Sequence, residues 1–288
     1  DDLGSHRDSG TRHVSVLACL AQTVEELAPG RVRIILGRGD SAVKTVGLAG
    51  ATLAEMRSAV TTLQRLLARE EVSVGGRRIR LAFASDRRVP ICVAATGPRS
   101  LQLAGEIGDG VLIQVPNVPE TRRMAWEQLR EGAGRAGRDP ASLDVIWGIV
   151  PAIVTQNMKE ARAGARAYCA SWALMPERAR WLRAAGIDLP VFPVPPELAT
   201  VYPDIAHAED PAEVRRLTPF LSDELVARIC DTMGLFGTPE YCTQRLAQMA
   251  AEGVRKVFVR SMETNSLPEE LLRAFETEVF PRLKSLLR

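Results

Sequence analysis

Apolar side chains recur along this chain at two spacings, and each spacing implies its own kind of element. From Thr11 the residues Val14, Leu17, Ala18, Ala21, Val24 and Leu27 fall three or four apart, which predicts an amphipathic helix with Thr11 as N-cap and Pro29-Gly30 as its stop. Val16, Cys19 and Leu20 widen its apolar face, as expected of a helix covered on two sides. Arg31 to Leu36 (RVRIIL) reads as a strand, and Ala51 to Glu70 as a long helix with Leu53, Met56, Val60, Leu63, Leu66 and Leu67 on its core side. Arg77 to Phe83 alternates in polarity behind Gly75-Gly76, the pattern of a short, half-exposed extra strand.

The clearest pattern lies between Pro90 and Gln114. Pro90 to Ala95 is apolar, lacks a polar face and is too short for a helix, so it predicts a strand buried on both sides. Thr96-Gly97-Pro98 breaks it. Gly97 permits positive φ, Pro98 suits a first helical turn, and Thr96 is the predicted N-cap. Ser100 to Ile107 carries Leu101, Ala104 and Ile107 on one face, Gly108 ends the helix, and Gly110 to Ile113 is the next strand. A right-handed βαβ unit puts its first turn at the carboxyl end of a parallel sheet, where free helix amides attract anions. A ligand site and a bare tight connection both agree with that pattern.

Pro119 to Gly137 predicts a helix with Met124, Leu129 and Ala133 inward, Leu143 to Val154 an apolar strand broken by Gly148 and Pro151, and Lys159 to Ala173 an alanine-rich helix. Prolines crowd the stretch from 176 to 219, where an irregular insertion is expected: a lid, an Ω-loop, a dimer contact or a plain excursion. His207 within it reads as a surface residue. Phe220 to Met233 is helical, Thr238 and Pro239 start a helix from Glu240 to Glu252, Val254 to Arg260 (VRKVFVR) is the last strand, and Pro268 to Leu287 a closing helix.

Composition narrows the classes. With 288 residues, 46% of them apolar, the chain can bury the core of one (β/α)8 barrel or of two smaller domains. A net charge of +2, with both signs interspersed, gives no nucleic-acid surface. Five cysteines (Cys19, Cys92, Cys169, Cys230, Cys242), widely separated and with no Cys-x-x-Cys pair, read as reduced thiols in a cytoplasmic protein. No apolar run approaches about 18 residues and the opening DDLGSHRDSG is polar, so neither a membrane span nor an export signal is expected. The sequence holds no P-loop, HExxH or GxSxG, and three scattered histidines make no metal site.

The loop Gly37-Arg38-Gly39-Asp40-Ser41 fits G-x-G-x-x-A of a dinucleotide fingerprint, with Ala42 third, but Asp40 would face the pyrophosphate and no second strand ending in an acid follows. Arg38-Gly39-Asp40 also spells an adhesion tripeptide, an accidental match at a strand end. A third reading comes from a family. Ala94 to Gly110 resembles the signature of the bacterial luciferase-like superfamily, in particular its deazaflavin-dependent, methylenetetrahydromethanopterin reductase-like branch: a strand ending Ala-Ala-Thr/Ser-Gly-Pro, then a helix ending Ala-Gly-Glu-x-x-Asp-Gly. Arg12, His13 and Pro29-Gly30-Arg31 resemble the family's opening helix, with Val14 where Pro is usual. Leu66 to Val72 resembles Leu-Leu-x-Gly-Glu-x-Val, with Arg69 in place of Gly, and Gly237 to Val259 resembles the family's ending.

The resemblance implies an α/β fold, a (β/α)8 TIM barrel forming one domain over residues 1–288. Counted in the family's order, the chain supplies strands four (Arg31 to Leu36), five (Pro90 to Ala95), six (Gly110 to Gln114), seven (Leu143 to Val154) and eight (Val254 to Arg260). The first three, with the acidic or histidine proton donor, are expected to be absent, so no catalytic residue is assigned. The implied cofactor is coenzyme F420 (8-hydroxy-5-deazaflavin), with FMN as the alternative. Its phosphate falls to Ala95, Thr96, Gly97, Pro98 and Arg99, and its ring edge or sugar-like chain to Gly39, Asp40 and Ser41. Arg260, at the carboxyl end of its strand, is the candidate for an anionic substrate or the cofactor's acidic tail, an ion pair with Glu263 being the structural alternative. The implied activity is hydride transfer between the reduced cofactor and a small organic substrate; an FMN-dependent monooxygenase and a truncated, inactive relative are the alternatives. A homodimer burying the helix Thr11 to Leu27 is also implied.

Overall fold

The computed structural model describes residues 11–39, 41–262 and 267–287. The chain divides into two compact units, residues 1–113 with 126–145 and residues 114–125 with 146–288.

In the first unit, α1 (Val14–Leu27) is capped by His13 rather than Thr11, the imidazole Nδ1 accepting from the Ser15 amide at 3.3 Å. It buries Val14, Ala18, Ala21, Gln22 and Glu25, so the expected inward setting of Val24 and Leu27 is incorrect: both are exposed, Leu27 to 82%. Two polar side chains can take their place because each is satisfied. Gln22 bonds Ser85 through both amide atoms at 3.2 Å, and Glu25 accepts the Gly30 amide at 2.6 Å. After β1 (Ile34–Leu36) and the short α2 (Ser41–Lys44), α3 (Leu53–Leu67) begins at a capping box of Thr52 and Glu55 and buries Met56, Val60, Leu63, Leu66 and Leu67 as the periodicity predicts. Arg69 follows at φ +61°, a left-handed conformation that suits the glycine of the family pattern better than arginine. The alternating segment is half of a hairpin, β2 (Val72–Val74) pairing antiparallel with β3 (Arg77–Ile79).

β4 (Ile91–Ala95), α4 (Pro98–Ile107) and β5 (Gly110–Ile113) form the expected βαβ unit. β4 lies between β1 and β5, parallel to both, with Leu36 opposite Val93 and Val93 opposite Val111. Asp109-Gly110 ends the connection for a packing reason: Asp109 Oδ2 accepts the Ile91 amide at 2.9 Å, and a Cβ on Gly110 would overlap Asp144 O and lie 2.8 Å from Cys92 Sγ. The last turns of α5 (Pro119–Arg135) cross α4 at Gly105, where a Cβ would overlap Leu129 O.

The predicted strand Leu143 to Val154 is two strands, β6 (Asp144–Ile149) and β7 (Ala152–Val154), separated at Val150-Pro151. In the second unit, α6 (Met158–Gly164) and α7 (Arg166–Leu174) divide the alanine-rich helix at Ala165. The proline-rich stretch opens with α8 (Pro176–Ala184) and closes with α9 (Pro211–Leu217), with 3-10 turns between them at Pro196–Thr200 and Ile205–His207. Then come α10 (Asp223–Met233), β8 (Leu235–Gly237), α11 (Pro239–Ala251), β9 (Val257–Val259), α12 (Glu269–Ala274) and α13 (Phe280–Leu286). β6 pairs in parallel with β9 and β7 with β8, so each half of the broken strand has its own partner. Asn117 fastens this unit from within: its Nδ2 donates to Gly148 O at 3.1 Å and Met233 O at 2.9 Å, and its carbonyl accepts from Arg122 and Arg245.

Candidate functional site

Parallel pairing brings the carboxyl ends of β1 and β4 out side by side. The loop after β1 turns at Gly39, whose φ of +81° a side chain would strain. Arg38 pins that loop to the residues before α3, its carbonyl accepting the Ala51 amide at 2.7 Å and its Nε donating to Ala51 O at 2.5 Å. A Cβ on Gly37 would touch Ala94 Cβ at 3.6 Å, which marks how closely the loop passes β4. Ser41 opens α2; Asp40 lies outside the described residues.

The loop after β4 leads into an uncapped helix. Thr96 is not the N-cap: Gly97 is, at φ −79°, so its positive φ is not realised either. No described side chain caps α4, whereas His13 caps α1 and Thr52 caps α3. Ser100 Oγ, the nearest hydroxyl, donates to Gly97 O at 2.8 Å. Pro98 has no N–H, so among the described residues the amides of Arg99 and Ser100 stand free of any capping oxygen, with the positive end of the helix dipole behind them. Thr96, Gly97 and Pro98 are half-buried, Ala95 is buried within β4, and Arg99 is exposed.

From Arg99 a cleft of about 420 Å³ runs outward over Leu53, Leu103, Arg57, Gln102, Glu106 and Arg135. Burial opposes ionisation of Glu106, but hydrogen bonds from Arg57 and Arg135 outweigh it and hold the carboxyl below the usual range. The second half of the Ala94 to Gly110 signature is therefore structural. Gly105 admits α5, Glu106 ties Arg57 and Arg135, and Asp109 holds the β4 amide and Arg88.

The remaining candidate, Arg260, belongs to the second unit. It follows β9, its carbonyl accepts the Ala152 amide at 2.8 Å, and its Nε is buried with no hydrogen-bond partner among the described residues. Glu263, its suggested ion-pair partner, lies outside the described residues. The same unit holds a group that the sequence pattern does not mark. Tyr168 and Trp172 share one face of α7 with ring centroids 6.3 Å apart, Gln114 donates to the Tyr168 hydroxyl at 2.8 Å, and the Arg178 guanidinium lies 5.7 Å from the Trp172 ring. Burial pushes the Tyr168 hydroxyl up from the ordinary 10.0 to about 12, so it stays protonated and can donate. Only the four-residue spacing of two aromatics on a helix hints at this group. Among the described residues no three His, Cys, Asp or Glu side chains cluster in a way that could hold a metal ion.

A family model described as luciferase-like monooxygenase matches residues 6–256. The 5,10-methylenetetrahydromethanopterin reductase of Methanolobus tindarius is 28% identical, over 87% of this chain and 74% of its own length. The F420-dependent glucose-6-phosphate dehydrogenase of Beutenbergia cavernae is 33% identical over a shorter stretch, 46% of this chain and 43% of that protein. Among solved structures, the coenzyme F420 dependent tetrahydromethanopterin reductase from Methanopyrus kandleri aligns with a TM-score of 0.65 at 20% identity, covering 95% of this chain and 80% of that one. The oxygenating constituent of 3,6-diketocamphane monooxygenase from Pseudomonas putida, in complex with FMN, aligns at 0.56 and 16% identity, covering 94% and 76%. At these identities the structural matches speak to the fold.

Proposed function

Because the chain belongs to the luciferase-like monooxygenase family, we propose that it is an oxidoreductase working with coenzyme F420, moving a hydride between the reduced deazaflavin and a small organic substrate. The observation that carries this reading is the uncapped start of α4 beside the Gly39 turn. Two amides without a capping oxygen among the described residues, at the carboxyl end of a buried parallel strand, fit a phosphate, and the exposed Arg99 adds positive charge at that point. Gly39, Asp40 and Ser41, on the neighbouring loop, would lie along the ring edge or sugar-like chain. When bound, the cofactor supplies the hydride chemistry; the protein's part is to hold the phosphate, orient the ring and shape the substrate's approach. Relatives named for F420 or for methanopterin reduction favour the deazaflavin. FMN remains the second reading, supported by the FMN-bound neighbour, because a phosphate loop alone serves both ring systems. Arg260 would hold an acidic group of the substrate.

A second copy of this chain is the proposed partner. Val16, Leu20, Val24 and Leu27 form an exposed apolar stripe on α1, with Leu20 at 57% and Leu27 at 82% exposure, of a kind that dimer interfaces cover. Fluorescence titration of the purified protein with F420 and with FMN tests the cofactor reading. Tighter binding of F420 is expected. Tighter binding of FMN would move the protein to the monooxygenase branch, and binding of neither would refute the cofactor site.

A further inference from the structure

We propose that the cleft running outward from Arg99 is a carboxylate subsite, which takes an acidic group carried on the outer side of the cofactor's phosphate. The inference rests on the cofactor reading and deepens it, because FMN ends at its phosphate and has nothing to place there. Its basis is a cavity of about 420 Å³ that α3 and α4 line together with Arg135 at the end of α5, all within the first unit. Arg99 joins this cavity to the phosphate position. Its amide is one of the two that lack a capping oxygen among the described residues, and its side chain lines the cleft. A ligand that extends past a phosphate at the start of α4 has this space open to it.

The charges and donors along the cleft set the chemistry of its occupant. Glu106 stands between arginines from two other helices, its Oε2 accepting from Arg57 of α3 and its Oε1 from Arg135 of α5, the latter at 2.7 Å. Arg135 is spent within the protein, since it also meets Glu131 at 2.8 Å. The other two arginines are not. Arg57 gives only Nη2, so its Nε and Nη1 have no acceptor among the described residues, and the Arg99 guanidinium has none either. Three guanidinium groups thus face two carboxylates, and the positive charge in excess rests with Arg99, where the α4 dipole is also positive. A carboxylate matches this arrangement, with a single negative charge and two oxygens for the planar fork of an arginine. Half-buried Leu53 and buried Leu103 give the carbon chain that carries it an apolar wall. Glu106 already holds Arg57 in place, so less freedom is lost when a ligand arrives.

The test compares F420 with F420 whose carboxyl groups have been converted to amides, so that the ring and phosphate stay the same, both titrated by deazaflavin fluorescence; citrate is titrated by calorimetry. F420 should bind the wild type about 3- to 10-fold more tightly than its amide, the range from a good exposed ion pair to a charge-assisted hydrogen bond, and added salt should erode the difference. Two variants remove it in different ways. Arg57→Gln takes away the free donors, and Ala54→Glu adds a negative charge to the cleft wall in the first turn of α3, where a carboxylate suits the helix dipole. Each should bring F420 down to the affinity of the amide while the amide changes little and melting temperatures stay close to wild type. Equal affinity of the wild type for the two compounds would overturn the subsite, as would a difference that neither variant reduces, which would put the acidic group elsewhere on the protein. If the wild type binds neither compound, the cofactor reading falls and citrate decides the subsite by itself. Saturable citrate binding that Arg57→Gln weakens would keep it; no citrate binding, or binding that Arg57→Gln leaves unchanged, would overturn it as well.

Discussion

Replacing Gly105 by Ala should destabilise the protein even though alanine is the better helix former. Gly105 lies inside α4, where intrinsic preference alone would make Ala more stable by about 1 kcal/mol. Against this, the new Cβ would overlap Leu129 O and stand 2.9 Å from Ala133 N and 3.1 Å from Leu129 C. All three atoms are α5 backbone, which cannot swing aside as the end of a long side chain can. Overpacking costs about 1 to 3 kcal/mol where side chains alone adjust and more where two helices must separate, so a net loss of roughly 1 to 3 kcal/mol is expected. Gly134, exposed near the end of α5 with nothing within 4 Å of an added Cβ, is the control, and its replacement by Ala should stabilise by up to about 1 kcal/mol. Thermal unfolding followed by circular dichroism reads both, at about 2 to 4 °C per kcal/mol for a chain of this size. If Gly105→Ala melts at or above the wild-type temperature, the close crossing of α4 and α5 is wrong.

Burial pushes the Cys242 thiol up from the ordinary 9.0 to about 11, and the hydrogen bond to Cys230 with burial holds Cys169 well above its usual value. A thiol reagent on the native protein at about pH 8 should therefore modify the half-buried Cys19 first, and equal rates at all five cysteines would contradict this burial. The folded state keeps protons on Cys242 and Tyr168 that the unfolded chain releases. Their contribution to stability is thus complete below 9.0 and is lost as pH rises through about 11 and about 12, so the urea midpoint should fall across that window and a flat profile would refute it. Sedimentation at micromolar concentration should show a wild-type dimer that Leu20→Glu dissociates; a wild-type monomer would end the α1 interface.

The central βαβ unit was legible because its determinants are local. An unbroken apolar run marks a doubly buried strand, and Gly97-Pro98 marks where the helix begins. Long-range partners account for most of what the pattern does not reveal. Gln22 and Glu25 displace Val24 and Leu27 from the buried face of α1 because Ser85 and Gly30 satisfy them, which periodicity cannot weigh. β8 is three residues long and exists through its pairing with β7, so neither alternation nor length betrays it. Thr96 has the right chemistry for a cap, but the chain places Gly97 at that position. The Tyr168 group depends on joining segments more than fifty residues apart in sequence, as the Gln114 to Tyr168 bond shows.

The proposed function requires a phosphate held by the amides at the start of α4, and the most direct measurement compares F420 with the same deazaflavin lacking its phosphate and acidic tail. Titrated by deazaflavin fluorescence at fixed ionic strength, the phosphate-free compound should bind about 10- to 100-fold more weakly, the value of one or two charge-assisted hydrogen bonds. Arg99→Gln should narrow that gap by removing the side-chain share while leaving the amides in place. Equal affinity for the two compounds would mean that no phosphate sits at Arg99 and Ser100, and would contradict the account.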